Sequence, residues 1–222
     1  IGKLFIAVEE NEITSLEKLK LQAENNGLMD LKYLNKSEIK KIEPSLNSCC
    51  ALYSPSTGII DSHGLMKSLF QLNENHDVTY ASLSPVLNAE PIINGWKVMI
   101  GGIEPTSITT RMVINSAGLS AINISNIIFP ERDTPKLFPV KGAYLRLSGP
   151  SPFNHIIYPA MIPGQIEERV DATPDLMNSL KFGPSVEKTN GLNDFTVPDE
   201  LVDRFYSSIK RYYPKIDKTK LY

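Results

Sequence analysis

Apolar and polar positions along this 222-residue chain follow two different periods. Residues 3–8 form a short apolar run and predict a strand. Residues 11–26 have helical spacing, with Ile13, Leu16, Leu19 and Ala23 on one face. Gly27 follows where a left-handed C-cap is expected. Residues 31–34 predict a second strand, and 37–43 a short helix stopped by Pro44. Residues 51–53 are strand-like and lead into the turn-rich loop 54–58. A helix then opens on the caps Asp61 and Ser62 and carries Leu65, Met66, Leu69, Phe70 and Leu72.

After residue 77 the period changes to two. Residues 78–81, 86–90 and 96–100 predict strands separated by Pro85, Asn94-Gly95 and Gly101-Gly102. Asn94-Gly95 is a strong two-residue hairpin signal. Residues 108–115 predict a further strand, read as buried over Met112, Val113 and Ile114. This strand ends on Ala117 and Gly118, where a helix begins. Such a corner lacks side-chain bulk. It offers the free N–H groups and partial positive charge of a helix start to a flat or phosphorylated ligand. Taken alone, the same residues read more simply as a packed strand-to-helix turn. Residues 134–182 are mostly extended, with strands predicted at 140–147, 156–158, 170–173 and 180–182. Residues 189–193 predict a loop. Residues 200–213 predict an amphipathic helix carrying Leu201, Phe205, Ile209 and Tyr212, ended by Pro214. Strands and helices do not alternate regularly, so a doubly wound parallel sheet throughout is not expected.

Composition narrows the chemistry. The chain is 41% hydrophobic and 22% charged, with a formal net charge of -2 and no basic block, which argues against nucleic acid as a partner. No apolar run is long enough to span a bilayer. The two cysteines, Cys49 and Cys50, are neighbours and cannot staple distant loops; they fit a reducing compartment such as the cytoplasm. There is no G-x-G, P-loop, G-x-S-x-G or C-x-x-C, and His63, His76 and His155 are scattered. Three polar groups in the extended region have chemical use. Lys141 beside Gly142 starts a strand, where it either pairs with a substrate carboxylate or is a solvated edge lysine. Tyr158 ends an apolar strand, as a substrate ligand or a core aromatic. Asp171 and Thr173 lie two apart and face one side of a strand, where they can bind or deprotonate a hydroxyl if that side faces a cavity.

An ordered set of segments carries a family resemblance. In chain order these include Gly2-Lys-Leu-Phe-Ile-Ala-Val8, Leu52-Tyr-Ser-Pro-Ser-Thr-Gly-Ile-Ile-Asp-Ser-His-Gly-Leu-Met66 and Val113-Ile-Asn-Ser-Ala-Gly118. They continue with Val140-Lys-Gly-Ala-Tyr144, Leu147-Ser-Gly-Pro-Ser-Pro-Phe153, Ile157-Tyr-Pro159, Lys181-Phe-Gly-Pro184 and Phe205-Tyr-Ser-Ser-Ile-Lys-Arg-Tyr-Tyr-Pro214. Together they resemble the middle portion of FAD-dependent L-2-hydroxyglutarate dehydrogenases and oxidases, in the D-amino-acid-oxidase-like flavoprotein superfamily. The resemblance implies a mixed α/β fold. A partial FAD-binding domain with a β-meander (51–130) is set between two parts of a substrate domain built on a mixed, largely antiparallel sheet (1–50 and 131–222). The family's G-x-G-x-x-G unit would lie upstream and its last flavin-contacting segment downstream, so this stretch alone is not expected to retain FAD. On the cofactor side the resemblance implicates Val86, Ala117, Gly118 and Gly142; on the substrate side, Lys141, Tyr144 and Tyr158.

One position departs from the family pattern. Where the family has a Gly-Val-His-x-Thr-like run, this chain reads Arg169-Val-Asp-Ala-Thr173. Thr173 is kept, and Asp171 stands where an imidazole would take the hydroxyl proton. A carboxylate can act as a base there, but it repels a dicarboxylate substrate unless screened. The resemblance therefore implies an FAD-dependent oxidoreductase acting on a small-molecule 2-hydroxy acid, with Asp171 and Thr173 as catalytic candidates. Two alternatives remain on sequence: a non-catalytic domain derived from such an enzyme, and a related amino-acid- or amine-oxidising flavoenzyme. Uncovered apolar surface around 113–118, with self-association through it, is a further expectation.

Overall fold

The computed structural model describes residues 1–161, 169–189 and 191–222. Residues 162–168 of the expected extended stretch, and Asn190 of the expected loop, lie outside them. In chain order the elements begin β1 (Lys3–Ala7), α1 (Ile13–Asn25), β2 (Lys32–Asn35), α2 (Lys36–Ile42), β3 (Cys50–Ser54) and α3 (Ser62–Glu74). There follow β4 (Val86–Ile92), β5 (Gly95–Ile100), β6 (Thr106–Thr110) and α4 (Ala121–Ile128). The last part holds β7 (Val140–Lys141), β8 (Leu145–Leu147), β9 (Ile156–Pro159), β10 (Ala172–Pro174), β11 (Leu180–Phe182), β12 (Glu187–Lys188) and α5 (Leu201–Tyr212). The fold is mixed α/β.

The chain divides into two compact units. The first comprises Ile1–Ser62, Val140–Thr189 and Asn193–Tyr222; the second is built on His63–Pro139. The breaks fall at 62/63 and 139/140, whereas the sequence reading drew them at 50/51 and 130/131. The first displacement has a plain cause: β3 pairs with both β1 and β2 and cannot be cut from their sheet.

The first unit is a seven-stranded sheet in the order β2-β3-β1-β9-β10-β11-β8. Among the described residues, β1 and β9 run parallel and the other pairs of this sheet are antiparallel. Side chains alternate across the sheet with period two. Leu4, Ile6, Ile157, Ala172, Leu180, Phe182, Leu145 and Leu147 share one face and one buried core with Leu201, Phe205, Ile209 and Tyr212 of α5. The α5 residues recur every three to four positions, so they form one apolar stripe. The Tyr212 hydroxyl is satisfied inside this core by donating to the Val170 carbonyl at 3.0 Å.

Local chemistry sets the element ends. Asn35 Oδ1 accepts from Ser37 N (2.9 Å) and Glu38 N (3.1 Å), while Glu38 Oε2 accepts from Asn35 N (2.7 Å). This capping box starts α2 at Lys36, one residue before the sequence reading. Gly27 has φ +83°, the left-handed conformation required just past α1.

The second unit is a three-stranded antiparallel meander, β4-β5-β6, with Asn94 at φ +67° in the β4–β5 turn. Two expectations need correction here. Residues 78–81 form no strand: Asp77 and Leu83 both take positive φ, and the segment turns in the open. Residues 112–115 are not a buried strand either. β6 stops at Thr110, and Met112 and Ile114 stand 71% and 79% exposed. The apolar run gave the right residue types, but among the described residues no strand pairs with it, and without a ladder neighbour extended backbone stays exposed.

Candidate active site on the polar face of the mixed sheet

The face of the seven-stranded sheet opposite α5 follows from the same alternation. Lys3 and Phe5 of β1 stand on it, Phe5 is in register with Tyr158 of β9, and Thr173 of β10 is in register with Lys181 of β11. Lys181 is in turn paired with Arg146 of β8. Ala172 opposes Ile157, which sets Asp171, one residue earlier, beside Tyr158. Sheet geometry thus brings Lys3 together with Tyr158 and Asp171, which lie more than 150 residues further along the chain.

Their chemistry is coupled. Arg169 reaches Asp171 with a two-point fork: Nε lies 2.9 Å from Oδ1 and Nη2 donates to Oδ2 at 3.1 Å. The Nε approach is an ion-pair contact without hydrogen-bond alignment, so Oδ1 has no hydrogen-bond donor among the described residues. The Asp171 carboxylate is 3% exposed, and burial lifts its pKa to about 6. Arg169, Lys3 and the neighbouring Tyr158 phenol oppose that rise. The half-buried Tyr158 ring lies under two cations, with Lys3 Nζ 3.9 Å and Arg169 Cζ 4.9 Å from its centroid. Burial first, and the Asp171 charge second, push the Tyr158 phenol upward, so it stays protonated at neutral pH. Burial lowers the Lys3 ammonium, against the attraction of Asp171.

The other candidates separate into three places. Thr173 stands half-buried on the same face as Asp171. Tyr144 is exposed, with Lys181 Nζ 5.0 Å from its ring centroid. Lys141 is engaged elsewhere: its ammonium donates to Asp194 Oδ2, Thr196 O and Thr196 Oγ1, each at 2.9 Å. These three bonds occupy its three protons and tie β7 to the 194–196 turn. Hydrogen bonds from Thr196 and then Lys141 hold the Asp194 carboxyl well below the usual carboxylate range. At Gly142 a Cβ would lie 2.9 Å from Pro184 Cβ and 3.1 Å from Ser185 O, so the glycine admits the 184–185 segment. Val86, Ala117 and Gly118 belong to the second unit. Val86 opens β4 opposite Ile100, just before a bulge.

Ala117 and Gly118 form an open corner. Gly118 has φ +56°, and a Cβ there would meet nothing within 4 Å. Asn115 staples the corner by donating from Nδ2 to Ala121 O (2.8 Å) and accepting at Oδ1 from Ala117 N (3.3 Å). No bulky neighbour plugs it, and its main chain is accessible to a flat ligand.

Sequence reasoning missed Lys3 and Arg169 as site residues. Lys3 had one legible signal, a polar position in register with the alternation of β1. Arg169 lies outside any strand, and its fork to Asp171 depends on tertiary placement.

A sequence profile described as FAD dependent oxidoreductase matches residues 1–221 of this chain. The chain belongs to that family. The L-2-hydroxyglutarate dehydrogenase, mitochondrial, of Arabidopsis thaliana is 28% identical over 97% of this chain and 53% of its own length. The Caenorhabditis elegans protein of the same name is also 28% identical, over 96% of this chain and 51% of its own. The chain thus spans about half the length of these curated relatives. The fold matches FAD-bound L-alpha-glycerophosphate oxidase from Mycoplasma pneumoniae with a TM-score of 0.85 and 19% identity, covering 100% of this chain and 59% of that one. The mixed sheet and meander of this FAD-family chain accordingly recur in that structure. The open Ala117–Gly118 corner fits an FAD nucleotide resting against main chain, and the Val86 backbone is the second candidate contact. Among the described residues no helix is long and apolar enough to cross a membrane, and no cluster of three or more metal-ligating groups occurs.

Proposed function

We propose that this chain forms the substrate-facing sheet and part of the cofactor wall of an FAD-dependent oxidoreductase that oxidises the CH–OH group of a 2-hydroxy acid, of the L-2-hydroxyglutarate type. The observation that carries this reading is Asp171, a buried carboxylate with Tyr158, Lys3 and Arg169 about it on the polar face of the sheet. When bound, FAD supplies the hydride acceptor. The chain's own residues supply the rest. Asp171 takes the hydroxyl proton, Thr173 hydrogen-bonds the hydroxyl, and Lys3 attracts the adjacent carboxylate. Arg169 screens Asp171, which removes the repulsion a bare carboxylate would exert on a dianionic substrate. Lys181, with Tyr144 beside it, offers a further cation along the same face for a distal carboxylate, and Lys141 acts structurally through Asp194 and Thr196. In the second unit, Ala117, Gly118 and Val86 are the main-chain contacts proposed for the cofactor; Gly142, in the first unit, packs against 184–185. The adjacent free thiols of Cys49 and Cys50 fit work in a reducing compartment, the cytoplasm or an organelle interior.

The test uses the full-length protein loaded with FAD under anaerobic conditions. Bleaching of the flavin band by 2-hydroxy acids, with L-2-hydroxyglutarate among the fastest, is expected. Bleaching by amino acids alone would transfer the reading to an amine-oxidising relative. No bleaching by either class would leave a binding domain without this chemistry. Met112, Ile114 and Leu119 stand exposed around the open corner, and self-association of the isolated chain through them is expected. Light scattering that finds a monomer at every concentration would contradict it.

A further inference from the structure

We infer that the sheet of the first unit carries a second small-molecule site on its other face, beside His155, for a single-ring monocarboxylate that also bears a hydroxyl group. This does not depend on the redox reading, because the sheet itself lies between this site and Asp171. Strand alternation sets the face. Tyr53 of β3 is in register with Leu4, and Leu34 of β2 with Ala51, so both stand on the core side. His155 precedes Ile157 by two residues and shares that side. Leu34, Glu38, Lys41, Ile42, Tyr53 and His155 line a cavity of about 280 Å³ there. A dry cavity of about 150 Å³ accepts a benzene ring. The His155 cavity therefore has room for a ring with two substituents.

A buried carboxylate fixes the imidazole. Glu43, at the end of α2, is fully enclosed. Its Oε1 accepts from Asn154 N (2.7 Å) and His155 N (2.8 Å) and lies 2.7 Å from His155 Nδ1. An oxygen already accepting two main-chain N–H groups requires the hydrogen to sit on Nδ1, so neutral His155 keeps its lone pair on Nε2. Among the described residues Nε2 has no hydrogen-bond partner, and it is the ring nitrogen left for a ligand. Gly2 makes room for this arrangement. It has φ +78°, and a Cβ there would lie 2.8 Å from Tyr53 Cε2 and 3.0 Å from His155 Cδ2. The Tyr53 and His155 rings meet edge to face, with centroids 5.6 Å apart. Charge comes from α2. Glu38 Oε2 is held by Asn35 N in the helix cap, whereas exposed Lys41, one turn on, makes no ion pair among the described residues. Lys41 attracts one carboxylate, and Glu38 beside it disfavours a second. The Nε2 lone pair takes a hydroxyl hydrogen, and Leu34, Ile42 and the Tyr53 ring form the apolar wall between the two polar ends.

The test titrates the full-length FAD-loaded protein, ¹⁵N-labelled at histidine, with para-hydroxybenzoate, benzoate and phenol. The His155 ring signals are assigned by their loss in His155→Gln. Para-hydroxybenzoate should move the Nε2 signal saturably. Benzoate lacks the hydroxyl and phenol lacks the carboxylate, so each should bind about tenfold more weakly, the loss of one hydrogen bond. Lys41→Gln changes an exposed residue and keeps the fold. It should weaken para-hydroxybenzoate about tenfold and leave phenol unchanged. Asp171→Asn, on the opposite face, should alter none of these affinities. An Nε2 signal that stays still at millimolar probe, equal affinity for the three probes, or parent affinity in Lys41→Gln would overturn the site. So would binding that perturbs the flavin spectrum and is lost in Asp171→Asn, which would put the probe on the redox face. None of these readouts needs turnover, so a failure of 2-hydroxy acids to reduce the flavin would remove the redox reading and leave this site standing.

Discussion

The two units of this chain contain similar proportions of apolar residues and use them differently. In the first, α5 covers one face of the seven-stranded sheet, and Leu201, Phe205, Ile209 and Tyr212 are all 1% exposed or less. In the second, among the described residues, only Ala89 and Val98 of the large set of apolar side chains are buried. The helix α3 has apolar residues at helical spacing and buries none of them. The difference teaches that periodicity predicts an element, whereas burial needs a second layer lying against it. Folding free energy is therefore concentrated in the first unit, and the second contributes an accessible corner.

The sharpest break in that comparison is a pair of truncations. Phe205→Ala opens a cavity in a fully enclosed core and should cost about 3–5 kcal/mol. Leu69→Ala on half-exposed α3 should change stability by about 0.5 kcal/mol or less. Urea denaturation of the two variants checks both, and similar costs would remove the distinction between the units. A smaller effect sharpens the contrast between the two faces of the first sheet. The Asp171 pKa is raised to about 6 in the fold from 3.8, so the folded state holds this proton more tightly than the unfolded chain. From this group alone, stability is highest at low pH, falls as pH rises from about 4 to about 6, and stays lower above that. Asp171→Asn should remove that slope and raise stability at pH 7 by roughly 2–3 kcal/mol, read as Tm across pH. A variant with the parent's pH profile would show that the carboxylate is not buried against its ionisation. The smallest effect belongs to a local signal: Asn35→Ala should cost about 1 kcal/mol by removing the α2 cap, measured by thermal unfolding.

How much was legible in the sequence follows the same division. The strands of the mixed sheet, the meander turn at Asn94-Gly95 and the α5 stripe were legible because each is a local pattern. The expected buried strand at 112–115 was not correct, because its burial depended on a neighbour that local pattern cannot supply. At the candidate site, Asp171, Thr173 and Tyr158 were legible as polar residues on short strands. Lys3 and Arg169 were not, since one joins through the parallel β1–β9 pairing across some 150 residues and the other through a fork from outside the ladder. Lys141 looked free in sequence because Asp194 and Thr196, which occupy it, lie more than fifty residues away.

The measurement that bears most directly on the site is the pH dependence of flavin reduction in the full-length protein, compared with Asp171→Asn. A carboxylate must be ionised to accept a proton, so the parent rate should fall as pH drops through about 6. In Asp171→Asn that acid limb should vanish and the plateau drop by roughly 10²–10⁴-fold. An Asp171→Asn enzyme that keeps both the limb and the rate would show that proton removal takes place elsewhere.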